Sequence, residues 1–265
     1  MSYHFSPAYP TPQHERSAQA ITQFFSRQPG VSAVLLTCSC ARGRATQDSC
    51  LDIEVLIPTL TSEASTALQR DWQVYLAGEP LFQEMRQVGA FSQVDLEFID
   101  GRFDPARHPH GWTSGPDEFE LEVGNLLAYS YPLWEGDAAY RELKANWLPY
   151  YDEVLRRERL AMALHFCRNN LAHIPLYVGR GLYFQSFKRF YDALREFLQA
   201  LFIARRTYPI AYDKWMREQI VEILELPALY PQLVHLLEIN RLESDELAHK
   251  GRELEGLVGE YVQSD

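Results

Sequence analysis

The sequence is short of positive charge and of cysteine, and each shortage excludes a class of protein. Its 25 Lys and Arg residues stand against 36 Asp and Glu residues, which gives a formal net charge of −11. Non-specific binding of nucleic acid requires basic patches that neutralise phosphates, so this class is disfavoured. The four cysteines, at positions 38, 40, 50 and 167, lack the regular spacing of a disulfide-stabilised secreted domain.

Long apolar runs and targeting signals are also absent from the sequence. No stretch approaches the roughly 20 apolar residues that span a bilayer. Residues 1–19 contain neither the basic region nor the apolar region of a signal peptide. No internal repeat or low-complexity tract is present. We therefore expect a globular cytoplasmic protein with no membrane association.

The first half of the chain has the pattern of a mixed α/β domain. Apolar residues at helical spacing predict helices over 18–28 and 62–78. β-Branched or alternating segments predict strands over 31–37, 51–57 and 92–100, and the last of these has one polar face. The segment 101–116 is rich in Gly and Pro and is predicted to be a loop.

The second half has a helical pattern up to its end. Amphipathic segments predict helices over 150–172, 183–206, 213–226 and 243–262, and such faces require partners to bury them. Within the first of these, the run "RRER" at 156–159 is interpreted as a solvated helix face. The sequence thus predicts an α+β protein with a mixed β-sheet domain over 1–139 and an all-α helical bundle over 140–265.

One stretch of the first domain, "TCSCARGRATQDSCLDIEVLIP" (37–58), resembles the signature of the polymerase-β-like nucleotidyltransferase superfamily. In that signature Gly-Ser is often followed by Ala-Arg-Gly, and two alternating carboxylates on a strand come about a dozen residues later. A third carboxylate lies on a neighbouring strand, and Asp95 of "QVDLEFID" matches it. Residues 180–215 also resemble the helical C-terminal domain of small-molecule nucleotidyltransferases of the aminoglycoside-modifying kind.

This resemblance implies a reaction and a set of residues. The reaction is the transfer of a nucleoside monophosphate from ATP or another NTP to a hydroxyl group of a small molecule. Asp52, Glu54 and Asp95 would bind Mg²⁺, while Ser39 and Arg42 would contact the nucleotide. Independent chemistry agrees, because nucleotidyl transfer requires phosphate charge to be neutralised by cations on carboxylates, and residues i and i+2 of a strand face the same way. Glu120 and Glu122 are candidates for the base.

Two cysteines depart from the pattern of that superfamily. Cys50 occupies the place of the first aspartate, and Cys38 occupies the place of the glycine. A thiol is a poor ligand for Mg²⁺, so the carboxylate pair would have moved by two residues to Asp52 and Glu54. The alternative is a catalytically inactive protein that serves as a nucleotide-binding or interaction module.

Two further alternatives belong to other classes of site. "CRNNLAH" contains Arg168 and His173 in the arrangement of HEPN-type ribonucleases, in which Arg would stabilise phosphate charge and His would move a proton. Cys38, Cys40 and Cys50 could instead bind zinc, although their spacing is not that of a common zinc knuckle. A helix end with a polar cap and buried free thiols are the structural interpretations of the same residues.

Overall fold

The computed structural model describes residues 6–59, 61–106 and 115–262, and it confirms the α+β class. The elements follow one another as α1 (Pro12–Phe25), β1 (Ala33–Leu36), α2 (Cys38–Ala41), β2 (Leu51–Leu56), α3 (Ser62–Gly78), α4 (Pro80–Arg86), β3 (Val94–Ile99), α5 (Phe119–Val123), β4 (Tyr131–Glu135), α6 (Ala139–Trp147), α7 (Glu153–Val178), α8 (Tyr183–Ala204), α9 (Leu229–Leu237) and α10 (Glu246–Tyr261). Gly124–Ala128 and Glu218–Ile223 are π-helical segments.

The chain forms two compact units that are interleaved in sequence. One, the sheet unit, comprises Met1–Phe103 and Glu122–Leu148, and the other, the helical unit, comprises Asp104–Leu121 and Pro149–Asp265. The sequence-based division into domains at 1–139 and 140–265 concerns which parts of the chain fold independently. That division remains a prediction. In the described part of the chain, no helix is both long and apolar enough to cross a membrane.

The sheet unit contains, within the described residues, a four-stranded sheet with the order β3-β2-β1-β4. Strand β1 pairs antiparallel with β2 and with β4, whereas β2 and β3 run parallel. Because successive side chains of a strand point to opposite faces, one face of β2 and β3 is apolar and the other is acidic. The apolar face packs against α1, α3 and α4 through buried side chains: Ile21, Phe25, Val34, Leu36, Ile53, Val55, Trp72, Phe82 and Met85.

Capping residues explain why α1 begins before the predicted position 18. The Thr11 hydroxyl accepts a hydrogen bond from the His14 amide, and Pro12 occupies the first helical turn, a position that tolerates a residue without an N–H group. His14 itself is buried, and its ring contacts the Ser49 carbonyl oxygen at 2.9 Å. It therefore connects α1 to the loop that precedes β2.

The helical unit is built around the long helices α7 and α8. Its apolar core joins both helices to α9 and α10, and the Asp152 carboxylate caps α7 by accepting from the amides of Val154 and Leu155. The region predicted as a helix over 213–226 differs, since Trp215 has a left-handed backbone (φ 57°) and a π-helical segment follows it. The sequence patterns did not predict α4, β4, α6 or α9.

Candidate active site

Four carboxylates lie on one face of the two parallel strands β2 and β3. In the pairing register Asp52 is opposite Asp95, and Glu54 is opposite Glu97, and paired residues of neighbouring strands are about 5 Å apart. Asp95 and Glu97 are exposed, while Asp52 and Glu54 are partly buried. We call these four residues the acidic face. Three of them are the predicted metal ligands, and the fourth, Glu97, follows from the same alternation of β3.

Glu54 shows the electrostatic cost of this arrangement. Burial, followed by the charges of Glu97 and Asp52, raises the pKa of Glu54 from 4.5 to about 7. Both causes disfavour the ionised carboxylate. A divalent cation at the acidic face would oppose both causes, so the face has the electrostatic character of a cation site.

The turn that follows β1 lies beside these carboxylates. The Thr37 amide donates to the Asp52 carbonyl oxygen at 3.0 Å, which holds the start of α2 next to β2. Cys38 has φ 53°, a left-handed conformation that favours glycine. The backbone conformation expected of a glycine is therefore present, although the residue is cysteine. Ser39 and Arg42 are both buried in this turn.

The cysteines of this region act as neutral groups. The Cys50 thiol donates to the Asp52 carboxylate, with its sulphur 3.1 Å from Oδ1 and 3.3 Å from Oδ2. Burial, then the hydrogen bond to Asp52 and its charge, raises the pKa of Cys50 to about 12. Burial and the charge of Asp52 likewise raise the pKa of Cys38 to about 12. Without a bound metal ion, both thiols are therefore protonated at neutral pH.

The residues of the acidic face match the donor chemistry of Mg²⁺ without forming a complete cage. Within residues 6–59, 61–106 and 115–262, no three His, Cys, Asp or Glu side chains are arranged to hold one metal ion, which gives no support to a zinc site at Cys38, Cys40 and Cys50. Magnesium, however, is usually held by one or two carboxylates together with water and substrate phosphates. Asp52, Glu54 and Asp95 can supply such oxygens.

One of the two candidate bases, Glu120, and two arginines of the "RRER" run are buried, where the sequence predicted accessible side chains. Glu120 is fully buried in the helical unit and binds Arg159, so it is an ion-pair partner and is not available as a base. Arg156 and Arg159 are buried, and the interpretation of the run as a solvated face was therefore wrong for these two. Glu122 is exposed.

The residues of the ribonuclease alternative, Arg168 and His173, both lie on α7. Five positions along an α-helix correspond to a rotation of about 140° between side chains. The His173 Nδ1 atom is 2.7 Å from the Asn169 carbonyl oxygen. Arg168 is largely exposed, with Nε 3.8 Å from Glu255 Oε1. Their placement gives no support to that alternative.

One solved structure shows how this chain compares with known proteins. A solved structure similar to this chain is that of a nucleotidyltransferase-like protein from Exiguobacterium sibiricum 255-15. It is 13% identical, with 93% of this chain and 74% of that chain covered and a TM-score of 0.45. No protein-family model and no curated protein matches the chain. A likeness this weak says nothing about the function of this chain.

The left-handed conformation of Cys38 predicts an unusual order of stabilities. At this position we expect Cys38→Gly to be more stable than Cys38→Ala by about 1 kcal/mol, because a Cβ atom is unfavourable in the left-handed region. At Ala41, in the same short helix, Ala41→Gly should cost about 1 kcal/mol, as is normal for a helix. Urea unfolding of the three variants measures both differences. An alanine variant that equals or exceeds the glycine variant at position 38 would contradict the prediction.

The raised pKa of Glu54 predicts a pH dependence of stability. Between pH 4.5 and about 7 the folded protein keeps a proton on Glu54 that the unfolded chain releases. The native state then binds more protons, so this contribution to the free energy of unfolding falls as the pH rises through that window. Glu54→Gln should remove the decline, whereas Glu63→Gln, at an exposed site on α3, should retain it. Urea titrations from pH 4 to 8 test this, and an identical slope in Glu54→Gln would refute it.

Proposed function

We propose that this protein transfers a nucleoside monophosphate from ATP or another NTP to a hydroxyl group of a small molecule, with Mg²⁺ as cofactor. The observation that carries the proposal is the register of β2 and β3, which sets Asp52 opposite Asp95 and Glu54 opposite Glu97. The second support is the left-handed turn at Cys38, which lies beside Asp52. Both features match the superfamily signature that the sequence resembles.

Each residue has a role in this proposal that follows from its position. Asp52, Glu54 and Asp95 would contribute one or two carboxylates to the binding of Mg²⁺, with water and the phosphates of the nucleotide as its other ligands. The ion would neutralise the charge of those phosphates. Ser39 and Arg42, in the turn after β1, would orient those phosphates. The oxygen of the acceptor hydroxyl would bond to the α-phosphorus, pyrophosphate would leave, and the hydroxyl proton would be released.

The protonation of Glu54 connects metal binding to pH. Because a carboxylate must lose its proton to bind a cation, Mg²⁺ would displace the proton that Glu54 retains below about pH 7. Affinity for Mg²⁺ should therefore weaken as the pH falls below 7, by at most about tenfold per pH unit for one proton. Glu54→Gln should lose this dependence.

The direct test uses ATP labelled at the α-phosphate. The full chain is incubated with this ATP, Mg²⁺ and a collection of hydroxylated small molecules, and label transfer is compared with a sample that contains EDTA. We expect transfer that EDTA abolishes. A parallel incubation with RNA and EDTA tests the ribonuclease alternative, since cleavage by Arg168 and His173 would not require metal. RNA cleavage that disappears in His173→Ala, without label transfer, would overturn the proposal.

The thiol of Cys50 favours a second candidate, a nucleotide-binding protein without catalytic activity. Cys50 occupies the position of the first aspartate and directs a neutral hydrogen-bond donor at Asp52, where an active site would have a further carboxylate. Cys50→Asp distinguishes the two candidates. If catalysis has been lost at this position, the variant should gain Mg²⁺-dependent transfer. If the site has moved to Asp52 and Glu54, the variant should gain none and should be destabilised by repulsion between like charges.

A further inference from the structure

A buried polar cluster in the helical unit surrounds Arg159. Glu120 is fully buried, and Arg159 is 5% exposed. The guanidinium donates Nη2 to Glu120 Oε2 at 3.0 Å and Nη1 to the Pro105 carbonyl oxygen at 2.7 Å, and it also binds Asp117 Oδ1. Its Nε donates to Glu120 Oε1. The nitrogens of Arg159 are therefore all engaged by groups of the cluster.

Two acceptor atoms beside this cluster have no hydrogen-bond partner among the described residues. One is Oδ2 of Asp117, and the other is Oε1 of Gln199, whose side chain is 1% exposed. The amide of Gln199 cannot be reversed without cost, because its Nε2 donates to Glu120 Oε2 at 3.0 Å. Reversal would place an oxygen against a carboxylate. Buried acceptors without a donor are unfavourable, so both atoms require a donor.

Asp117 and Gln199 also line a cavity of about 140 Å³. Its walls include Leu155, Met162 and Pro105, which are apolar. An engineered cavity of about 150 Å³ accommodates benzene, so the space suits a ligand of about five or six non-hydrogen atoms. The cavity is therefore lined both by hydrogen-bond acceptors and by apolar side chains.

The charge of the lining selects the class of ligand. Of the charged residues that line the cavity, Glu158 is exposed to solvent. Asp117 shares the one guanidinium of Arg159 with the buried Glu120, so two carboxylates stand against one cation. Arg195, one helical turn before Gln199, is not among the lining residues. A neutral donor would leave negative charge uncompensated, whereas a cation with several N–H groups would satisfy the charge and the acceptors together.

We propose that this cavity binds the ammonium group of a small primary amine, with Asp117 and Gln199 as hydrogen-bond acceptors and with the aliphatic part of the ligand against Leu155 and Met162. The site lies within the helical unit and does not depend on the acidic face or on nucleotidyl transfer. The ligand is recognised by charge, by N–H donors and by size.

The test uses n-propylammonium chloride as the probe, with the full chain and without ATP or Mg²⁺. Calorimetric titration should give binding at least about tenfold tighter than that of 1-propanol, which lacks the charge, or of tetramethylammonium, which lacks N–H donors. Equal affinity for the three probes would overturn the proposal. Absence of propylammonium binding, as expected if the cavity holds only water, would overturn it as well.

Two variants locate the binding in this cavity. Met162→Phe fills the space and leaves the charged cluster intact, so it should abolish binding. Gln199→Met removes the acceptor at similar volume and should weaken binding at least about tenfold, whereas Gln185→Met, at an exposed site on the same helix, should not change it. Should Gln199→Met fail to fold, Met162→Phe decides, and unchanged propylammonium binding in that variant would exclude the site.

Discussion

Asp52→Asn is expected to remove both label transfer and the thermal stabilisation that ATP with Mg²⁺ provides. The amide keeps the shape of the side chain but removes its negative charge. Asp52 lies opposite Asp95 in the pairing of β2 with β3, so the acidic face would lose one of its carboxylates. Cation-based stabilisation of a phosphoryl transition state contributes several kcal/mol, so transfer should fall roughly a thousandfold. A ligand that binds only the native state raises the melting temperature by mass action, and this increase should disappear in the variant.

Asp71→Asn is the matched control for that experiment. Asp71 lies on α3 of the same unit, its side chain is 56% exposed, and its ion pair is with Arg70. The control variant should retain transfer and the full increase in melting temperature. If Asp52→Asn behaves like Asp71→Asn in both assays, the acidic face is not the nucleotide site. If it loses the thermal shift while the wild type shows no transfer, the protein binds nucleotide without catalysis.

The second large effect is expected from Arg159→Met in the helical unit. Removal of one partner of a buried ion pair leaves the other charge uncompensated and typically costs about 3–5 kcal/mol. In this case Glu120, which is fully buried, and Asp117 would both lose their cation. We therefore expect the free energy of unfolding, measured in urea at pH 7, to fall by about that amount.

Arg157→Met provides the comparison on the same helix. The Arg157 side chain is 73% exposed, and its Nε is 3.5 Å from Glu153 Oε1, so the variant should lose less than about 1 kcal/mol. Combining Arg159→Met with Glu120→Gln should recover part of the loss, because the double variant no longer buries the Glu120 carboxylate without a cation. Equal losses in the two single variants would show that the buried cluster does not stabilise the unit.

Local patterns predicted the elements that carry the acidic face, but not how those elements pair. The alternation of "LDIEVLI" and "QVDLEFID" is a property of neighbouring residues, and it was sufficient to assign β2 and β3 and to orient their carboxylates. The parallel pairing of Asp52 with Asp95 joins residues far apart in sequence, so no local pattern contains it. The helix over 62–78 was predicted with the bounds of α3 for the same local reason.

The surroundings of Arg159 show where local reasoning fails. A run of charged residues is typical of a solvated surface, and nothing near Arg159 in the sequence indicates otherwise. Its partner Glu120 is 39 positions earlier, and only the folded unit brings them together. Similarly, Cys38 could be recognised as a replacement for glycine, but the left-handed backbone that it adopts is visible only in the structure.

The position of β3 at the edge of the sheet has a consequence for self-association. Within the described residues β3 and β4 are the outer strands, and an exposed outer strand can pair with a strand of another molecule. Charged side chains and proline both oppose such pairing. Strand β3 carries Asp95 and Glu97, and β4 contains Pro132. Asp95, which is proposed to bind a cation, therefore also protects this edge against aggregation together with Glu97, and masking its charge would weaken that protection.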